Sequence, residues 1–252
     1  MSAVGRPVDA VTFDFWDTLV RTDDQGTLGA RRAKLIAVLG GLGHHVEAKV
    51  LDDAFVDAFG VYTEHWRSNR QFTARDGALH VLSLLEVELD GEELEAAIDA
   101  YANAAADIDM RLTDHVDDAL HSLHARGVRL GIICDVGMTP SPVLRGWLDR
   151  AGVLGLFDHW SFSDEVGWYK PAPQIFEHAL AGLGVEAGRA AHVGDLRRTD
   201  VAGAKAMGML AVRYRGVNDN ADVPPVDDGH DRPEGDIVLD DHADLLAALG
   251  FD

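Results

Sequence analysis

The sequence predicts an α/β fold with a doubly wound parallel sheet as its core and an inserted all-helical segment near the start. Two patterns lead to this prediction. After residue 112, short runs of β-branched and apolar residues alternate with segments of helical periodicity, whereas between about 28 and 106 the apolar residues recur only at helical spacing. Strands that alternate with helices imply right-handed crossovers, so the strands run parallel with helices on both faces of the sheet.

The first core strand is predicted in the run VDAVTFDF at 8–15, which is rich in β-branched and aromatic residues and ends in a carboxylate. The insertion follows with helical spacing in four segments: one from Leu35 to Leu42, one from Leu51 to Phe59, and two more at 76–87 and 91–106. This part of the chain is therefore expected to contain helices and no strands.

The remaining elements complete the alternating pattern. Further strands are predicted at 128–134, 159–162, 189–194, 210–214 and 237–239, and helices at 115–126, 141–151, 173–183, 199–207 and 241–249. The segment 216–235 is crowded with Gly, Pro, Asn and Asp and shows no periodicity, which predicts an exposed loop.

Composition limits the classes of function. With 252 residues, 47% of them hydrophobic, the chain can bury a substantial core as one large domain or as a core with an insertion. Lys and Arg total 22 against 43 for Asp and Glu, and the formal net charge of −21 opposes binding to nucleic acid or anionic membranes. The same charge repels phosphorylated metabolites, so a site for them needs a metal ion or a local group of cations.

The single cysteine, Cys134, excludes an internal disulfide and a structural zinc site built on several thiolates. It is consistent with a reducing, cytoplasmic compartment. The N-terminal sequence lacks a cationic start followed by an apolar core, and no stretch approaches the ~18 apolar residues of a membrane span. We therefore expect a soluble, unexported protein. The twelve His residues show no spacing typical of a metal site.

Residues that follow directly after predicted strands are candidates for chemistry, because ligands bind beyond the carboxyl ends of the strands in an open parallel sheet. Four such places stand out. They are Asp14 to Thr18 after the first strand, Cys134-Asp135 after the second, Lys170-Pro171 before a helix, and Gly194-Asp195 with Asp200 five residues on.

In order and spacing these places resemble the four motifs of the haloacid dehalogenase-like superfamily. The matching segments are FDFWDTL at 13–19, GIICD at 131–135, SDEVGWYKP at 163–171 and HVGDLRRTDVAGAKAMGM at 192–209. The resemblance spans almost the whole chain and implies a Rossmann-like core formed by 1–19 and 112–252. It also implies a helical cap of the C1 type at 20–111, which would close over the site and select small substrates.

The resemblance also assigns roles. It implies that Asp14 attacks phosphorus and forms an aspartyl-phosphate. It implies that Mg²⁺ is held by Asp14, the backbone carbonyl of Trp16 and Asp195, with Asp200 bound directly or through water. Lys170 would neutralise the nucleophile and a phosphate oxygen. The expected function is thus a Mg²⁺-dependent phosphatase acting on a small phosphorylated metabolite.

Several other residues are expected to contact the substrate. Cys134 occupies the position where the family has Ser or Thr; because a thiol is a weak donor, a substrate contact and a buried structural residue both remain open. Thr18 in the first motif and Asp135 in the second are also predicted to contact the substrate. In the cap, Arg67 and Arg70 either form a lid for an anionic substrate or lie at a solvated helix end. Arg197 and Arg198, inside the fourth motif, are expected to face solvent.

Trp16 departs from the family's phosphatases, which carry at this position an Asp that protonates the leaving group and then activates water. An indole can do neither, although it could stack on the substrate. Asp17 compensates only if the loop is remodelled, because neighbouring residues on an extended chain point to opposite faces; otherwise it caps the turn.

Two alternatives to a phosphatase follow from these departures. The family's dehalogenases also place an aromatic residue at the position of Trp16, so a 2-haloacid dehalogenase is one alternative, although the intact metal motif opposes it. A degenerate member that binds a phosphoryl ligand without turnover is the other.

Overall fold

The computed structural model describes residues 8–21, 24–219 and 232–251. Among these residues the strands form one six-stranded sheet in the order β3-β2-β1-β4-β5-β6, and every neighbouring pair is parallel. The strands are β1 (Ala10–Phe13), β2 (Arg129–Cys134), β3 (His159–Phe162), β4 (Ala190–Gly194), β5 (Leu210–Tyr214) and β6 (Ile237–Leu239). The predicted fold class, an α/β Rossmann-like core, is confirmed.

The register of the central strands places their carboxyl ends at one edge. Phe13, the last residue of β1, pairs with Ile132 of β2 on one side and Val193 of β4 on the other. Residues that follow these three strands therefore meet at the same rim of the sheet.

The inserted segment contains helices and no described strand. Its helices are α1 (Asp24–Gly41), α2 (Ala48–Arg67), α3 (Ala74–Leu84) and α4 (Gly91–Ala102). Apolar side chains at helical spacing, among them Leu35, Leu51 and Tyr101, form a buried cluster of their own. The start of α3 is fixed by a capping box, in which the Thr73 hydroxyl and the Asp76 carboxylate each accept from the other's backbone N–H.

The rest of the chain supplies α5 (Val116–Ala125), α6 (Ser141–Arg150), α7 (Ser163–Val166), α8 (Pro173–Leu183), α9 (Ala202–Met207) and α10 (Leu245–Ala248). The short helix α7 was not predicted. The predicted helix at 199–207 begins instead with a π-helical turn at Arg197–Val201, and the predicted helix at 241–249 begins with a 3₁₀ turn at His242–Asp244. Of the predicted loop at 216–235, residues 220–231 lie outside the described residues, and its described ends are neither helix nor strand.

By their contacts the described residues divide into two compact units. The first comprises 8–21, 110–135, 148–219 and 232–251, and the second comprises 24–109 and 136–147. In the first unit, Val20 and Leu112 form an antiparallel bridge, so the chain leaves and re-enters this unit at adjacent positions.

The second unit includes residues 136–147, which the predicted cap boundary of 20–111 leaves out. Arg31 ties this stretch to the inserted helices, since its buried guanidinium donates to the carbonyls of Tyr101 at 3.1 Å and Met138 at 3.0 Å. No helix among the described residues is both long and apolar enough to cross a lipid bilayer.

Candidate active site

Three buried carboxylates lie together at the rim formed by β1 and β4. Asp14 directly follows β1, where its backbone N–H donates to the Val193 carbonyl at 2.8 Å, and Asp195 directly follows β4. With Asp200 they present carboxylate oxygens that all lie within 4.8 Å of one another. The predicted convergence of residues 14, 195 and 200 is thus what the structure shows.

A tight turn brings Asp200 back to the end of β4. Its backbone N–H donates to the Leu196 carbonyl at 2.9 Å, and its Oδ2 accepts from the Leu196 N–H at 3.0 Å. A Cβ atom at Gly194 would lie 2.3 Å from the Asp200 Cγ. Only glycine at position 194 therefore permits this approach.

Lys170 joins two of the three carboxylates. Its Nζ donates to Asp14 Oδ1, to Asp200 Oδ1 at 2.7 Å and to the Ile133 carbonyl at 2.9 Å, and its side chain is 2% exposed. The backbone N–H of the same residue donates to Asp135 Oδ1 at 2.8 Å. Asp135 thus helps to position the lysine, and its role as a substrate contact remains a prediction.

The ionisation of these groups follows from burial and mutual charge. Burial raises the pKa of Asp14 to about 7, which Lys170 opposes and Asp200 reinforces. Burial also raises the pKa of Asp195 well above its usual value, with the charges of Asp14, Asp200 and Asp17 adding to the effect. Although burial disfavours its ammonium form, the surrounding carboxylates hold the pKa of Lys170 well above its usual value.

The group fits a divalent cation. With all three carboxylates ionised, the single ammonium of Lys170 would leave a buried excess of negative charge. The raised pKa of Asp195 shows that ionising this group is unfavourable without a further positive charge. All three side chains offer oxygen, the donor that Mg²⁺ prefers over the nitrogen and sulfur favoured by zinc.

A sequence model of the haloacid dehalogenase-like hydrolase family matches residues 8–208. The chain belongs to this family. The matched residues include the three carboxylates, Asp14, Asp195 and Asp200, and Lys170.

Several curated proteins that are similar to this chain are phosphatases. A glyceraldehyde 3-phosphate phosphatase from Methanothermobacter thermautotrophicus is 28% identical over 250 residues, covering 95% of this chain and 99% of that protein. The human haloacid dehalogenase-like hydrolase domain-containing protein 3 is 29% identical over 211 residues, covering 79% of this chain and 78% of its own length.

Solved structures confirm the family's fold in this chain. A 2-haloacid dehalogenase from Pseudomonas syringae pv. Tomato superposes with a TM-score of 0.67 at 23% identity, covering 96% of this chain and 98% of its own. The magnesium-bound HAD hydrolase YfnB from Bacillus subtilis superposes with a TM-score of 0.62 at 15% identity, covering 97% and 100%. At these identities the likeness concerns the fold alone.

The position that departs from the family's phosphatases lies in the turn after β1. Trp16 is half-buried, and its ring packs edge-on against Phe15 with the ring centroids 5.1 Å apart. Asp17 adopts a left-handed conformation with φ of 51°, and its N–H donates to the Val20 carbonyl at 2.8 Å. The loop is therefore not extended at Asp17, and the alternation expected for an extended chain does not apply to these two side chains.

Thr18 and Cys134 are enclosed. The Thr18 side chain has no exposed surface, and its hydroxyl makes no hydrogen bond among the described residues. Cys134 is equally buried, and burial raises the pKa of its thiol well above the usual value, so the sulfur is a neutral thiol. As substrate contacts both residues remain predictions.

Arg67 and Arg70 belong to the second unit. Arg67 is the last residue of α2 and is half-buried, whereas Arg70 is exposed and donates from Nε to the Ser68 hydroxyl at 3.0 Å. Their role toward substrate also remains a prediction. The expectation that Arg198 faces solvent is wrong: its side chain is buried, because the π-helical turn directs it inward, while Arg197 is half-buried.

His192 also contacts the site, although none of the sequence motifs singles it out. Buried on β4, it donates from Nε2 to Asp200 Oδ1 at 3.0 Å, and its Nδ1 lies 2.9 Å from the Thr12 hydroxyl. Burial lowers the pKa of His192, so the ring is neutral and Nδ1 accepts from Thr12. Strand alternation was the available signal, since residue 192 shares a strand face with Gly194, against which Asp200 packs.

Proposed function

We propose that this protein is a Mg²⁺-dependent phosphatase that hydrolyses a small phosphorylated metabolite through an aspartyl-phosphate on Asp14. The observation that carries the proposal is the buried group of Asp14, Asp195 and Asp200 with Lys170 between two of them. The phosphatase names of curated relatives support the same reaction class.

The chemistry begins with a carboxylate oxygen of Asp14. This oxygen attacks phosphorus in line, the bond from phosphorus to the leaving oxygen breaks, and the leaving oxygen takes up a proton. Water then attacks the phosphorus of the aspartyl-phosphate, which releases phosphate and restores the carboxylate. Lys170 compensates the negative charge that accumulates on Asp14 and on the transferred group.

The cation would be held by Asp14, Asp195 and the backbone carbonyl of Trp16, with Asp200 bound directly or through water. When bound, it would supply charge that lets a phosphate approach a carboxylate. Because the pKa of Asp14 is raised to about 7, part of this residue is protonated at neutral pH in the metal-free protein, and the added charge favours the ionised nucleophile.

Protonation of the leaving oxygen has to come from a group other than Trp16. Asp17 is the candidate, since its charge already acts on the pKa of Asp195 and its left-handed backbone breaks the extended run. Without such a group, the enzyme would favour acyl or aryl phosphates, whose leaving oxygens need no proton.

Substrate selection is assigned to the helical unit as a cap, with Arg67 and Arg70 as candidate contacts for an anionic substrate. Inside the core, Trp16 is the candidate for stacking on the substrate. We place the activity in the cytoplasm, because the single cysteine is a buried, neutral thiol that requires no oxidising compartment.

The test is a panel of phosphate esters and acyl phosphates assayed with Mg²⁺ and with a chelator. We expect release of inorganic phosphate that depends on Mg²⁺ and is lost in Asp14→Asn, which keeps the size of the side chain but removes the nucleophile. Asp149→Asn, on an exposed site of α6, is the matched control and should retain full activity. Turnover that survives both chelation and Asp14→Asn would contradict the proposal.

A dehalogenase is the second candidate, favoured by the aromatic Trp16. Displacement of halide by the Asp14 carboxylate needs no cation, so this reaction leaves the buried Asp195 carboxylate without a purpose. Halide release from 2-haloacids in the presence of chelator would support it. If neither phosphate nor halide is released while phosphate or a phosphate mimic binds, the protein is a phosphoryl-binding member without turnover.

A further inference from the structure

Two imidazoles meet on the outer edge of the sheet, away from the carboxylate site. His159 begins the edge strand β3 and His178 lies on α8, and His159 Nε2 is 3.2 Å from His178 Nδ1. The two ring centroids are 4.8 Å apart with the planes inclined at 44°. No step of the proposed reaction uses either residue.

The pair can form because residue 182, a glycine, has no side chain to occupy the space of the His159 ring. Gly182 lies one helical turn after His178 on α8, and a Cβ atom at position 182 would lie 2.2 Å from the His159 ring. The His159 ring therefore occupies the space of that side chain, against the helix surface that presents His178. Glycine inside a helix is unfavourable, so its use here is explained by the ring that it admits.

A third polar group adjoins the pair. The hydroxyl of Ser161, which shares a face of β3 with His159, lies 2.8 Å from His178 Nδ1 and is buried. On the other side the pair is open, since His178 is exposed and His159 half-buried. Water can therefore complete a coordination shell.

We propose that His159 and His178 form a binding site for a divalent transition-metal ion such as Zn²⁺. Two nitrogens that each lie ~2.0–2.1 Å from an ion and 3.2 Å from each other subtend an angle of about 100° at the ion, between the octahedral and tetrahedral values. Imidazole nitrogen selects zinc, copper and nickel over Mg²⁺, so this site and the carboxylate site take different ions. The Ser161 hydroxyl contacts the ion directly or through a water.

The ion would join β3 to α8. Because the two ligands come from different elements that are adjacent only in the folded chain, binding stabilises the fold. The segment leading from β3 to α8 carries Lys170, so the ion fastens both ends of the segment that delivers this lysine.

The experiment is equilibrium dialysis of the full chain against Zn²⁺ in a large excess of Mg²⁺, which competes with Zn²⁺ for the carboxylate site, followed by metal analysis. We expect one bound Zn²⁺ that is lost in His159→Gln and in His178→Gln. Since removing an outer-shell partner already costs ~10–100-fold in metal affinity, each ligand variant should bind at least ~10-fold more weakly. In a second measurement, Cu²⁺ replaces Zn²⁺ as the probe. The electron paramagnetic resonance spectrum of the bound Cu²⁺ should show nitrogen ligands in the wild type, and this signal should be lost in both variants.

Matched variants separate this site from adventitious binding. Gly182→Ala should weaken binding by displacing the His159 ring, whereas Gly60→Ala on α2, where a Cβ meets open space, should not. His124→Gln, an exposed histidine on α5, should leave the bound Zn²⁺ unchanged. Bound zinc that persists in both His159→Gln and His178→Gln, or a wild type that binds none, would overturn the proposal. Neither result depends on phosphatase activity.

Discussion

Two carboxylates share one lysine, yet their environments drive their ionisation in opposite directions. Asp200 is buried, which opposes its charge, but Lys170 and His192 outweigh burial and hold the pKa of Asp200 well below its usual range. Asp14 has fewer donors, and burial raises its pKa to about 7. Asp200 is therefore a permanent anion that fixes Lys170, whereas Asp14 is the carboxylate whose charge a bound cation can change.

Trp16 bears on the rate of leaving-group departure. We expect Trp16→Asp to raise kcat for alkyl phosphates, because a carboxyl group at this position can protonate the leaving oxygen. General acid–base catalysis is typically worth ~10²–10⁴ in rate, so the gain should approach the lower figure. The measurement is kcat on an alkyl phosphate and on an acyl phosphate, whose turnover should change little.

Trp16→Phe is the control for this substitution, since it keeps an aromatic ring and adds no acid. It should leave the ratio between the two substrates unchanged. If Trp16→Asp lowers a substantial wild-type activity on both substrates, the indole has a positive role, such as stacking on the substrate, and the missing acid is supplied elsewhere.

At the scale of elements, the strands and their order along the chain could be predicted because β-branched runs end in carboxylates, as in VTFD and HVGD. The convergence of Asp14 with Asp195 follows from the parallel register of β1 and β4. The π-helical turn at Arg197–Val201 could not be predicted, because it arises from the i→i−5 hydrogen bond of the Val201 N–H to the Leu196 carbonyl at 3.2 Å, which leaves no periodic trace in the sequence. Strand alternation could place His192 on the face of Gly194, but its contact with Thr12, 180 residues away, could not be predicted.

The loop after β1 is anchored from the far end of the chain. The Thr18 carbonyl accepts from the Thr113 hydroxyl at 2.6 Å and from His242 Nε2 at 2.9 Å. The His242 ring is fully buried and stacks on Tyr214 with centroids 4.1 Å apart. Burial lowers the pKa of His242 to about 4, so the folded protein holds a neutral ring.

This anchor predicts sensitivity to acid. The folded pKa of His242 lies below the unfolded value of 6.5, so its contribution is fully present above pH 6.5 and is lost as the pH falls toward 4. We expect the wild type to lose about 3 kcal/mol of unfolding free energy over this window relative to His242→Gln, at 1.36 kcal/mol per pKa unit. Denaturant unfolding of both proteins at several pH values measures the difference.

His115 and Asp241, which pair nearby, are present in both proteins and cancel in this comparison. His124→Gln, with an exposed side chain, should follow the wild type at every pH. A difference between wild type and His242→Gln that stays constant from pH 6.5 to 4 would mean that the ring does not titrate in this window.

At the scale of the whole molecule, a formal net charge of −21 acts against compactness, because like charges repel one another across the folded surface. Any salt relieves this repulsion by screening. A divalent cation bound by Asp14 and Asp195 would act differently, because it neutralises charge at one buried place and binds only the folded chain.

The two effects can be separated in thermal unfolding at equal ionic strength. We expect NaCl and MgCl₂ both to raise the Tm, with MgCl₂ adding a further stabilisation that reaches ~2.7 kcal/mol when its concentration is 100 times the dissociation constant. Asp195→Asn should keep the response to NaCl but lose the increment specific to MgCl₂, while Asp149→Asn on the exposed surface should keep both. If Asp195→Asn retains the full magnesium increment, the cation binds elsewhere and the buried carboxylates are not its ligands.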